Sequence, residues 1–155
     1  MIEMDEVKIR DKVRVRGRVR ATVRDAETGE ILEVVPGKNL VTDVGEALFS
    51  ALMNGESLDS ISYCAVGSDD AAVAEGDTTL TAEIDRIPIT DSTRVAALVT
   101  YSTFFSSGDC NGVWKEEGLL NAAVGGVLVC HTLFAAPINK DATKTVTVDH
   151  DLEIV

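Results

Sequence analysis

The chain has 155 residues, a formal net charge of −12, and 45% hydrophobic against 26% charged residues, a balance that excludes a disordered chain and suits one domain with its own core. So acidic a protein is repelled by nucleic acid and by anionic membranes, which leaves other proteins as the expected partners. No apolar run reaches the roughly 20 residues that cross a bilayer, and the charged stretch from Met1 to Asp11 lacks the apolar core of a signal peptide.

Residues 1–11 are expected to be a flexible N-terminal segment and residues 12–155 a single domain. In residues 12–24, KVRVRGRVRATVR, the apolar Val13, Val15, Val19, Ala21 and Val23 alternate with Lys12, Arg14, Arg16, Arg18, Arg20 and Arg24. Strict period-two alternation predicts a half-buried strand. Its length exceeds the usual five or six residues, and Gly17 reads as a bulge or bend, so the strand is expected to run on as an arm or wrap along an edge. Thr28 and Gly29 signal a turn, residues 31–35 return as a second strand, and Pro36 with Gly37 should stop it, which makes 12–35 a hairpin.

One helix follows. Val44, Leu48, Ala51 and Leu52 share a face, Thr42 or Asp43 suits the N-cap, and Asn54 with Gly55 suits the stop. Residues 61–66 read as a strand and the acidic stretch 68–77 as an exposed loop. Strands are then expected at 87–90, 94–105, 113–120, 127–134 and 143–154. Seven or eight strands with one short helix predict an all-β fold, a mainly antiparallel β-sandwich of jelly-roll type, because each strand has one apolar face to cover.

Catalytic signatures are missing: no glycine-rich phosphate loop, nucleophile elbow or HExxH pair occurs. Cys64, Cys110 and Cys130 are odd in number and lack a CxxC pair, so they are read as reduced thiols, without a disulfide framework or zinc site. His131 lies beside Cys130, but neighbouring strand residues point to opposite faces, and the same geometry separates Glu116 from Glu117. His150 falls in phase with Val146, Val148 and Leu152 and reads as a packed, hydrogen-bonded histidine. Asp69, Asp70, Glu75 and Asp77 lack the spacing of a calcium loop. Trp114, Tyr63 and Tyr101 would be the sugar-stacking platform of a carbohydrate-binding module, the alternative from another class, but all sit within apolar strands. The expectation is a non-enzymatic protein without cofactor or metal.

The unusual feature is the basic row. Asp149, Asp151 and Glu153 recur at the same period on the last strand, so Arg14, Arg16, Arg18, Arg20 and Arg24 are expected to meet an acidic face, either this one or a neighbouring subunit's. These eight residues are the interface candidates. Without interleaved aromatics the row does not suit nucleic acid.

Four fragments, NLVTDVG at 39–45, YCAVG at 63–67, LTAEIDR at 80–86 and EEGLL at 116–120, together resemble small virion structural proteins of tailed bacteriophages, of head-decoration, collar or tail-fibre type. The matching order covers residues 39–120, about half of the chain. The resemblance implies a β-sandwich virion component assembled in the host cytoplasm. It also implies a trimer or hexamer docked to a major capsid or tail protein, with capsid decoration favoured over a tail, collar or fibre role by the single compact domain. Glu83 and Arg86 are expected on a helical turn within that stretch.

Overall fold

In a computed structural model, which describes residues 12–155, the alternating stretch folds as β1 (Val15–Asp25). Val19, Ala21 and Val23 are buried while Arg16, Arg18 and Arg20 are exposed, as the pleat of a strand with one wet face requires. The N-terminal segment expected at 1–11 lies outside the described residues.

β1 is an interior strand and not an arm. It pairs antiparallel along its whole length with β9 (Lys144–Ile154), from Val15↔Ile154 to Asp25↔Lys144, and on its other side with β2 (Ile31–Val41). Gly17 makes no bulge there, since the β1–β9 register runs unbroken through Gly17↔Leu152. It makes room: a Cβ on Gly17 would lie 2.2 Å from Nδ2 of Asn39.

β2 passes through Pro36 and Gly37, where a stop was expected. Residues 31–37 pair with β1, and from Gly37 to Val41 the strand pairs instead with β8 (Leu128–Lys140). Pro36 is tolerated because, among the described residues, β2 has at that point only β1 as a neighbour, so the missing N–H breaks no ladder. The change of partner at Gly37 turns the corner of the sheet.

Helix α1 (Asp43–Met53) starts at Thr42, whose Oγ1 accepts from the Gly45 N–H at 3.0 Å and donates to the Leu128 carbonyl at 2.5 Å. One side chain thus caps the helix and fastens it to β8. Next come β3 (Tyr63–Gly67), β4 (Glu83–Pro88), β5 (Asp91–Val95), β6 (Leu98–Phe105) and β7 (Gly112–Leu120). The strand expected at 94–105 is a hairpin, β5 and β6, with Ala96 at φ +52 in its turn. Glu83 and Arg86 lie on β4 and not on a helical turn, although their ion pair forms at 2.6 Å.

The nine strands of the described residues belong to one sheet in the order β4-β3-β7-β8-β2-β1-β9-β6-β5. The sheet curls so that Cys64 and Val66 of β3 and Trp114 and Leu119 of β7 share a core with Val19 and Val23 of β1, Phe105 of β6 and Val146 and Val148 of β9. The fold is therefore all-β with one short helix, and its sandwich-like layers are the two halves of a single folded sheet.

Candidate functional site

The basic row meets the acidic row within the chain. Arg16, Arg18 and Arg20 stand directly across from Glu153, Asp151 and Asp149, with closest approaches of 4.0, 3.5 and 3.5 Å. The register that buries Val19, His150 and Leu152 on one face places these charges opposite each other on the other. All three arginines are mostly exposed, so each pair contributes about 0.2–1 kcal/mol. Arg14 exchanges backbone hydrogen bonds with Val155 and Arg24 stands across from Thr145. Among the described residues neither is in an ion pair.

The corner in β2 leaves a different surface open. Residues 31–36 pair with β1 alone, because beyond Phe134 β8 bulges away and rejoins β7 at Trp114↔Ile138. Among the described residues this half of β2 has no ladder partner on its second edge. It carries Ile31, Leu32 and Val34 at 53%, 49% and 50% exposure. An unpaired backbone edge with apolar side chains is a template for another strand. No sequence signal marked it, because Pro36 and Gly37 read as the end of the strand.

The ionisable groups of the interior are tied to one another. Glu116 and Glu117, adjacent on β7, point to opposite faces, and both are fully buried. The Glu116 carboxylate accepts from the backbone N–H of Thr81 at 2.8 Å, Ala82 at 2.9 Å and Asp69 at 3.2 Å, and lies 2.8 Å from His131 Nε2. His131 Nδ1 lies 2.7 Å from Asp77. A carboxylate thus stands against each ring nitrogen of His131. The Ala74 N–H, donating at 2.8 Å, holds the Asp77 carboxyl below its ordinary range, and His131 adds to this. The stretch 68–77 is the exposed loop expected, and it is fastened near both ends, at Asp69 and Asp77.

On the inner face Glu117 Oε1 lies 2.9 Å from His150 Nδ1 and accepts from the Cys64 thiol at 3.4 Å, while His150 Nε2 meets Asn39 Oδ1 at 3.1 Å. Glu117 Oε2 makes no hydrogen bond among the described residues. Burial opposes a charge on His150, but the Glu117 carboxylate and Cys130 outweigh it and push the imidazole up to about 10. Burial pushes the Cys64, Cys110 and Cys130 thiols up, away from the thiolate form a nucleophile needs.

Trp114 is fully buried, donating from Nε1 to the Cys110 carbonyl at 2.7 Å and meeting Phe105 edge-to-face at 4.7 Å, so it offers no face to a sugar. Among the described residues no three His, Cys, Asp or Glu side chains are placed to hold a metal ion, and no helix is long and apolar enough to cross a membrane. Beside α1, an open groove of about 520 Å³ is lined by Val15, Phe49, Leu52, Val99 and Tyr101. Comparison of the chain with protein-family models, with curated proteins and with solved structures finds no match.

Proposed function

We propose that this chain is a non-enzymatic structural component of a tailed-phage particle, a capsid decoration protein that holds neighbouring virion proteins by strand addition. The observation that carries the reading is the open half of β2, residues 31–36, with Ile31, Leu32 and Val34 exposed beside an edge that is unpaired among the described residues. Main-chain hydrogen bonds supply affinity in such a contact, and alternate side chains supply specificity. The interior acids and histidines answer to each other, as a scaffold requires. The phage-like fragments contribute the helix cap, β3, the first part of β4 and the second half of β7, which are parts of that scaffold.

The basic row is the lesser contact, because three of its arginines already face carboxylates of their own chain. Partners are a second copy of the chain, in a trimer or hexamer, and a capsid protein.

Light scattering and co-sedimentation with purified capsids and tails test the reading. A trimeric or hexameric mass with capsid binding is expected. The double variant Leu32→Lys with Val34→Lys should lose that association while its stability changes by no more than about 0.5 kcal/mol per site, since both side chains are half exposed. A monomer that binds neither particle part overturns the proposal, and binding to tails alone moves the protein to the tail.

A further inference from the structure

Lys140 ends β8 with its whole side chain inside the protein, at 2% exposure. A lysine so enclosed is uncommon unless it is paired. Its Nζ reaches the Asn111 side-chain oxygen at 2.7 Å and the carbonyls of Ser107 and Asp141 at 3.2 and 3.4 Å. No carboxylate lies within ion-pair distance among the described residues. Burial lowers the Lys140 ammonium below its ordinary range, and of the charges that oppose this Asp109 is the strongest.

Asn111 is held in place by its backbone. Cys110 before it has φ +50, a conformation that a residue with a side chain keeps only where the surroundings impose it, and Gly112 after it takes φ +149, which glycine adopts freely. Trp114 clamps the Cys110 carbonyl, and Asp109 closes the loop by accepting from the Ser106 N–H and hydroxyl, both at 2.8 Å. The Lys140 amine and the Asn111 carboxamide are therefore presented to each other by strand register, since Gly112 stands across from Lys140.

The geometry points to a covalent modification: Lys140 and Asn111 form an intramolecular isopeptide bond that ties the loop before β7 to the end of β8. In this step Nζ gives up a proton and attacks Cγ of Asn111. The Nζ–Cγ bond forms, the Cγ–Nδ2 bond breaks, and Nδ2 departs as ammonia. Two of the three Nζ protons pass to Nδ2, relayed by solvent that reaches the exposed Asn111. One ammonium and one carboxamide become one secondary amide and one ammonium ion, so neither oxidant nor co-reactant enters. Holding amine and carbonyl together removes the entropic part of the barrier, and Asn111, exposed to solvent, lets the ammonia escape.

Intact-mass spectrometry of the purified full chain tests this. The expected mass is lower than that of the sequence by one ammonia, and a tryptic digest should yield one branched peptide joining the segments that contain Asn111 and Lys140. Asn111 precedes a glycine, so it can also lose ammonia by cyclising onto the Gly112 nitrogen, but that product is unbranched and independent of Lys140. Lys140→Arg should restore the full mass, and Asn111→Ala should likewise give the full mass of its own sequence with an unchanged far-ultraviolet circular dichroism spectrum. A wild-type chain of full sequence mass overturns the proposal, as does an ammonia loss that survives Lys140→Arg.

Discussion

At the scale of residues, the buried His150–Glu117 pair sets how the protein responds to pH and to substitution. His150 has an ordinary value of 6.5 and is raised to about 10 in the folded chain. A raised histidine adds stability in full below its unfolded value and loses that contribution as pH climbs toward the folded one. The midpoint of thermal unfolding should therefore fall between about pH 6.5 and pH 10, and the decline should flatten in His150→Gln. Glu117→Gln or His150→Gln alone leaves a buried charge without its partner and should cost about 3–5 kcal/mol in urea unfolding. The double variant should cost less than the sum, because the second change removes the group that the first left unpaired. That Glu116 and Glu117 face opposite ways was legible from the strand pattern. Their partners were not: His150 reaches Glu117 across the curl of the sheet, from 33 positions away, and no local periodicity reports on that.

At the scale of elements, alternation located β1 and β9 and even the pairing of their charges, because a period of two allows only one wet face. Reversing Arg16 and Arg18 to Glu together removes the contacts to Glu153 and Asp151 and sets like charges across the ladder. A loss of about 1–2 kcal/mol is expected in urea unfolding, and 1 M salt should recover part of it. Thr42→Ala removes both the helix cap and the hydroxyl bond to β8, for about 1–3 kcal/mol. Among the elements misjudged, two failed for reasons that can be read from their turns. The turn between β5 and β6 carries no Gly, Pro, Asn or Asp, since Ala96 itself takes the positive φ. In β2, Pro36 and Gly37 mark a change of partner, which in sequence looks the same as an ending.

At the scale of the whole molecule, the nine strands of the described residues make the layered core by curling in one sheet, and the strands that close it come from distant parts of the chain. β1 and β9, at the two ends of the described chain, lie side by side, so the last strand must arrive before the first is covered on both sides. Such non-local pairing predicts refolding on the millisecond-to-second scale, which stopped-flow fluorescence of Trp114 can follow.

The antiparallel match of Val15 with Ile154 has a mechanical consequence. Force applied to the chain's two ends would enter at one corner of the sheet, across the strands, and would peel β1 from β9 one hydrogen bond at a time instead of shearing the whole ladder at once. Single-molecule pulling from the termini should find the protein weak. A part of this kind withstands tension only when the load passes through its flanks.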